Sequence, residues 1–176
     1  MATIKLGGND IETVGNLPEI GEKAPDFDLT TQDLSSKKVE DYKGSRVVMN
    51  IFPSIDTNVC ATSVRKFNEK ATSLKNTKVL SISKDLPFAL KRFSDDSKID
   101  NVTNLSDFRD GNFGKNYGVE ITTGPLTGLL SRAVLVLNEE GKVIYSEQVP
   151  EIGQEPDYLS ALKTYCNVEF VYWKTH

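Results

Sequence analysis

Histidine is nearly absent from this chain, whose single histidine is its last residue, His176. A histidine at the chain end cannot complete a Ser–His–Asp relay or a Cys–His pair on ordered elements. Only two cysteines are present, Cys60 and Cys166, which is too few for a disulfide scaffold or a Cys/His zinc cluster. The glycine-rich loops that bind nucleotides are also missing. We therefore expect no metal and no cofactor, and the low cysteine content favours the reducing cytoplasm.

Basic runs and long apolar runs are missing as well. The net charge is −4 at pH 7 and lysine and arginine do not cluster, so we expect neither nucleic acid nor a membrane surface as partner. No apolar run approaches the length of a membrane span. The first residues lack the basic and apolar regions of a secretory signal. A length of 176 residues predicts a single domain over 1–176.

What the chain does have is a succession of apolar and amphipathic segments typical of an α/β protein. A near-continuous apolar run over 46–52 predicts a central strand, followed by a helix over 61–71 and a strand over 78–83. Further strands are predicted over 27–30, 102–105, 132–138 and 142–145. Helices are predicted over 87–93, 108–117 and 155–166. Segments 3–6 and 11–14 predict an N-terminal β-hairpin.

Cys60 is the most informative residue because this pattern carries it off a strand end into the first turn of a helix. Backbone N–H groups point outward there, and the helix dipole favours negative charge. Such a site favours the thiolate, which is the reactive form of cysteine. A lone cysteine is more often an inert core residue, so the assignment depends on its neighbours.

Those neighbours carry a family resemblance. The segment Pro53-Ser-Ile-Asp-Thr57-Asn-Val-Cys60 resembles the Pro-x-x-x-Thr-x-x-Cys signature of the peroxiredoxins, in particular the thiol peroxidase branch. The resemblance implies a thioredoxin-like fold with a central mixed sheet flanked by helices and an N-terminal β-hairpin. It implies reduction of hydrogen peroxide and small organic hydroperoxides through a sulfenic acid on Cys60. Thioredoxin or another thiol would be the reductant, and the protein would be a homodimer, with Phe88 and Tyr117 as candidate contacts.

The resemblance also assigns roles to other residues. Thr57 would hydrogen-bond the thiolate and the peroxide, and Pro53 would wall the pocket against water. Segment 124–136 resembles a second characteristic segment of the family, which makes Arg132 the guanidinium beside the sulfur. Arginine suits that role because it stays charged and presents a planar fork of donors.

One position departs from the family pattern. Segment 85–93 resembles the helix that carries the family's resolving cysteine, but the cysteine position itself is occupied by Ser94. Ser81 likewise stands where relatives often have a cysteine. A hydroxyl cannot form a disulfide, so three interpretations stay open. In the first, the enzyme uses an external thiol; in the second, Ser94 was introduced by engineering; in the third, Cys166 resolves the sulfenic acid. The tail 167–176 has no assigned role.

Two other functions also stay open. Cys60-Ala-Thr-Ser63 is a C-x-x-S pattern at a helix start, which would suit a thioredoxin-fold thiol–disulfide carrier. A non-catalytic interaction module would instead keep Cys60 buried and unreactive. Peroxide consumption in the presence of dithiothreitol separates the peroxidase from both.

Overall fold

The computed structural model describes residues 1–164, in which nine strands and four α-helices are found. β1 (Thr3–Leu6) and β2 (Asn9–Glu12) form a separate hairpin. The other strands are β3 (Asp28–Thr31), β4 (Ser36–Lys38), β5 (Arg46–Ile51), β6 (Thr77–Ser83), β7 (Thr103–Ser106), β8 (Ala133–Leu137) and β9 (Val143–Gln148). The helices are α1 (Asn58–Ala71), α2 (Pro87–Ser97), α3 (Asn112–Asn116) and α4, residues 158–164, and a 3-10 helix covers Val39–Tyr42.

Seven strands form one mixed sheet in the order β4-β3-β7-β6-β5-β8-β9. β5, β6 and β7 are parallel neighbours, whereas the outer pairings are antiparallel. β5 lies inside the sheet between β6 and β8, with Met49 opposite Leu80 of β6 and Leu135 of β8. Both of its faces are covered, which explains its continuous apolar sequence. This arrangement agrees with the predicted α/β class, central mixed sheet and N-terminal hairpin.

A buried core lies on each face of the sheet. One contains Met49, Leu80 and Leu135 together with Phe113 of α3. The other contains Val48 and Phe67, and it joins α1 and α2 to the sheet. Cys60 belongs to this second core, so the helices that cover this face also determine where the sulfur lies.

Several predicted boundaries differ from the observed ones. Gly7 and Gly8 both have positive φ and make the hairpin turn by themselves, so β2 begins earlier than predicted. α2 extends past the predicted end at residue 93 and stops where Lys98 adopts a left-handed conformation. β4 was not predicted, because its three residues are polar and exposed. The last predicted helix is found as α4, but Cys166 lies outside the described residues.

No helix within residues 1–164 combines the length and apolar character needed to cross a membrane.

Gly118 closes the turn after α3, and it offers a test of the fold. Its φ is +70°, and an added Cβ would overlap the backbone of Asn16. Gly118→Ala should lower the free energy of unfolding by about 2–4 kcal/mol, because strain and overpacking add. Gly8→Ala is the control, since its φ is +84° with open space around it, and should cost about 1–2 kcal/mol. Urea denaturation measures both, and equal losses would contradict the overlap at Asn16.

Candidate active site

Cys60 lies at the start of α1, the helix that follows the carboxyl end of β5. β5 ends at Ile51, the next two residues are buried, and α1 begins at Asn58, which makes Cys60 the third helical residue. Its exposed fraction is zero, and it packs in the core with Val64 and Phe67. The predicted position in the first helical turn is confirmed.

Arg132 contacts this sulfur from the position just before the neighbouring strand β8. Its Nη2 donates to Cys60 Sγ at 3.1 Å, and its Nε donates to the Ile152 carbonyl at 2.7 Å. Arg132 is only 2% exposed and directly precedes β8. The pairing of β8 with β5 brings the two residues together, although 72 positions separate them in sequence.

The charge on Arg132 has little compensation within the described residues. No carboxylate there lies within ion-pair distance of the guanidinium. The pKa of Glu155 is lowered chiefly by a hydrogen bond with Lys66, and Arg132 is its weakest cause. A buried cation without a partner is costly. An anionic group beside the guanidinium would offset that cost.

One nitrogen of the guanidinium is available to a further ligand. Arg132 Nη1 is buried and has no hydrogen-bond partner among the described residues. Because the guanidinium is planar, Nη1 and Nη2 point from one rigid fork. With Nη2 on the sulfur and Nε on Ile152, Nη1 is the donor left for an oxygen that approaches Cys60.

Thr57 and Pro53 both lie in the loop that precedes the cysteine. Pro53 is buried. Thr57 is the N-cap residue of α1, and its hydroxyl donates to the Ser54 carbonyl at 2.9 Å. That hydroxyl proton is therefore not directed at Cys60, although the oxygen can still accept. The structure thus brings Arg132 to the sulfur, while the hydrogen bond from Thr57 to the thiolate is not formed.

Asp85 is a residue of this site whose role the sequence did not reveal. It follows β6, and its carboxylate accepts from Ser54 Oγ at 2.8 Å, Ile55 N at 2.7 Å and Ser83 Oγ at 2.7 Å. The carboxyl ends of parallel strands meet at one edge of a sheet. A serine at the end of β6, followed two residues later by an aspartate, was the available signal.

Ser94 is built into the core of the protein. It lies in α2 with 6% exposure, and its Oγ accepts from Asn104 Nδ2 at 2.6 Å and Gln32 Nε2 at 3.1 Å. Asn104 begins a buried polar row of side chains on adjacent strands, in which Ser81 of β6 pairs with Asn104 of β7 and with Asn50 of β5. Ser94 and Ser81, the two serines that the resemblance places at cysteine positions, therefore contact or belong to this row.

Ser63 lies at the other end of the same buried polar row. Asn50 Nδ2 donates to Ser63 Oγ at 3.0 Å, and Ser63 Oγ donates to the Cys60 carbonyl at 2.8 Å. Ser63 is fully buried. Its hydroxyl is thus occupied by the backbone and by Asn50, so the C-x-x-S pattern reflects packing of α1 against the sheet.

Comparisons with known proteins agree on one relationship. The Redoxin family model matches residues 19–162. A thiol peroxidase of Corynebacterium glutamicum is 51% identical over 92% of this chain and 98% of its own length. One from Mycobacterium tuberculosis is 53% identical over 92% of this chain and 97% of its own.

Solved structures show the same fold. A peroxiredoxin-like protein from Aquifex aeolicus is 41% identical with a TM-score of 0.89, covering 95% of this chain and 97% of that one. A thiol peroxidase from Chromobacterium violaceum has a TM-score of 0.88 over 95% and 97% of the two chains, at 24% identity. At that identity the second likeness concerns the fold alone.

Proposed function

Because this chain belongs to the Redoxin family and is a peroxiredoxin-type enzyme that reduces peroxides with thiols, we propose that Cys60 is the thiol that attacks the peroxide. The observation that carries this proposal is the 3.1 Å contact between Arg132 Nη2 and Cys60 Sγ in a buried site. The predicted thioredoxin-like fold is confirmed, with a mixed sheet and N-terminal hairpin in the arrangement of the peroxiredoxins.

The first step consumes the peroxide. The Cys60 thiolate attacks one oxygen of the O–O bond, an S–O bond forms, and the O–O bond breaks. The other oxygen leaves as alkoxide or hydroxide and takes up a proton to become alcohol or water. Cysteine is oxidised to sulfenic acid and the peroxide is reduced. We propose hydrogen peroxide and small organic hydroperoxides as substrates, because a fully buried sulfur suits small ones.

Ionising the thiol is only part of the catalytic requirement. An ordinary thiol is a few per cent thiolate at pH 7, so full ionisation gains about 30-fold. Enzymes usually supply about 10⁶-fold or more. The remainder requires stabilisation of charge as it moves along the O–O axis. We propose that Arg132 Nη1, which has no partner within residues 1–164, donates to the leaving oxygen.

Thr57 and Pro53 keep supporting roles in this proposal. The Thr57 hydroxyl donates to Ser54, so its oxygen is left to accept the proton of an incoming peroxide. Pro53 is buried in the loop that precedes α1, and we propose that it limits water at the thiolate. Both roles rest on the family resemblance and on these positions.

The second step must restore the thiol without a cysteine at position 94. We propose that an external thiol attacks the Cys60 sulfenic acid, which forms a mixed disulfide and releases water. A second thiol then takes the disulfide and frees Cys60. The tight hydrogen bonding of Ser94 by Asn104 and Gln32 supports a serine as the residue suited to this position.

Several broader features are proposed on the family and on composition. We propose a single domain, a cytoplasmic location and thioredoxin as one possible thiol donor. A homodimer would use the face that carries Phe88, which is 67% exposed. Tyr117, the other candidate contact, was a wrong choice, because it is fully buried and its hydroxyl donates to the Pro25 carbonyl.

The cycle is tested by restoring the missing thiol. After one equivalent of peroxide, the parent protein should gain one oxygen in its intact mass, as a sulfenic acid. Ser94→Cys should instead lose two hydrogens as Cys60 and the new cysteine form a disulfide, and its thioredoxin-dependent turnover should rise. The two Cα atoms must come within about 7 Å, so α1 or α2 has to unwind locally.

A matched control is available one helical turn away. Ser97→Cys makes the same substitution on the partly exposed side of α2 and should behave like the parent. Peptide mapping without reductant identifies the linked residues. Absence of a Cys60 linkage in Ser94→Cys, or a Cys60–Cys166 disulfide in the parent, would contradict the external-thiol cycle.

A further inference from the structure

We propose that Asp85 is a positioning residue that fastens the loop 53–57 and thereby sets the balance between a closed and an open Cys60 site. The inference rests on the proposed role of Cys60 as attacking thiol. Asp85 touches neither the sulfur nor Arg132, so it acts through the backbone of the loop that precedes α1.

The carboxylate of Asp85 joins two segments at the sheet edge. One oxygen accepts from Ser54 Oγ, and the other accepts from both the Ile55 N–H and Ser83 Oγ. The two partners in the loop follow β5, whereas Ser83 is the last residue of β6. Hydrogen bonds to an ionised acceptor are about twice as strong as neutral ones. Asp85 is thus the side chain that ties the loop 53–57 to the end of β6.

Ser54 passes this restraint on to the start of α1. Its carbonyl accepts both the N–H and the hydroxyl of Thr57, the N-cap residue. Its hydroxyl, while donating to Asp85, also accepts from the N–H of Asp56. The residues that open α1 are therefore fixed through Ser54, and Cys60 lies within the first turn that follows.

Closure and opening serve different halves of the cycle. The closed site keeps Cys60 fully buried and in contact with Arg132, which is the geometry required for attack on a small peroxide. Because Cys60 has zero exposure, even a small peroxide needs a narrow path to the sulfur, and an external thiol, especially one on a protein, needs a much wider opening. The loop and the first turn of α1 must open for that step, and opening breaks the bonds to Asp85.

Two substitutions separate positioning from simple stability. Asp85→Ala removes all three acceptor contacts, so peroxide oxidation of Cys60 should slow by about 10²-fold. Alkylation of Cys60 by iodoacetamide should accelerate by about tenfold, because the open state is more populated. In Asp85→Asn the amide oxygen can still accept from the Ile55 N–H and Ser83 Oγ. The new amide N–H can donate to Ser54 Oγ if that hydroxyl turns to accept. This variant should lie between the parent and Asp85→Ala in both rates.

The measurements are stopped-flow oxidation by hydrogen peroxide and mass mapping of the alkylated Cys60 peptide, well below the unfolding temperature. Asp95→Asn is the charge-matched control, because Asp95 is exposed on α2 and pairs with Lys91, and both its rates should equal the parent's. Ser54→Ala removes one Asp85 contact and should shift both rates in the same directions if Asp85→Ala does not fold.

The opposite movement of the two rates is the specific signature. The positioning role is refuted if the rate of Cys60 oxidation in Asp85→Ala stays within threefold of the parent's. If Asp85→Ala does not fold, the role is refuted when the rates of the single variants Ser54→Ala and Asp85→Asn both stay within threefold. It is also refuted if oxidation and alkylation fall together, since that indicates a distorted but closed site. Peroxide consumption by Cys60→Ser would instead refute the assignment of Cys60, independently of Asp85.

Discussion

Cys60→Ser should abolish thiol-dependent peroxide consumption, with an expected loss of about 10⁴-fold or more. The reason is chemical, because a serine hydroxyl is almost un-ionised at neutral pH and cannot cycle through a sulfenic acid. The substitution keeps the side chain nearly isosteric within a fully buried site, so the fold should survive. The rate of hydrogen peroxide loss with dithiothreitol as reductant measures the effect.

The second cysteine supplies the matched control. Cys166→Ser should leave the rate of the first oxidation step unchanged, because nothing in the proposed cycle uses that thiol. Circular dichroism of both variants should match the parent. Residual activity in Cys60→Ser above one hundredth of the parent rate would reject Cys60 as the attacking residue, whereas a large loss in Cys166→Ser would assign a role to the second thiol.

Arg132→Lys should lower the second-order rate of peroxide oxidation by about 10²–10³-fold, although the charge is retained. The guanidinium donates at once to Cys60 Sγ and to the Ile152 carbonyl, and Nη1 has no partner within residues 1–164. An ammonium is a compact point charge and cannot reproduce that fork. The lost interactions belong mainly to the transition state, so the loss should appear in the rate of sulfenic acid formation.

An exposed arginine provides the control for replacing an arginine by a lysine. Arg65 is exposed on α1, where it donates to Ser97 Oγ at 3.3 Å, and Arg65→Lys should oxidise at the parent rate. Stopped-flow measurement under pseudo-first-order peroxide gives both rates. A loss of less than threefold in Arg132→Lys would remove Arg132 from the reacting centre.

Local sequence was sufficient for the elements that carry Cys60. The short apolar run of β5 predicts a strand covered on both faces, and Pro53 and Thr57 mark where the chain turns into α1. Periodicity also located β6 and β8. It missed β4, whose residues Ser36–Lys38 have no apolar side chain, because an exposed edge strand leaves no hydrophobic pattern.

The contacts between distant segments could not be derived from spacing. Arg132 reaches Cys60 only because β8 pairs with β5, and its assignment from sequence depended wholly on the family resemblance. Asp85 was likewise invisible, because its partners Ser54 and Ile55 follow a different strand. A polar residue after a strand is ordinarily a turn residue, and only the sheet order reveals what lies opposite.

The buried polar row has a consequence for how the sheet assembles. Apolar strands such as β5 and β6 can slide past one another by two residues and still bury the same kinds of side chain. Asn50 opposite Ser81, and Ser81 opposite Asn104, coincide in one alignment only. A two-residue slip of β5 against β6 would bring either Asn50 opposite Val79 or Ser81 opposite Val48, and so place a buried polar side chain against an aliphatic one, which is costly. The row therefore favours one register among the three parallel strands β5, β6 and β7. Because the same alignment sets where β5 and β6 end, it determines that the cysteine-bearing turn and Asp85 finish side by side.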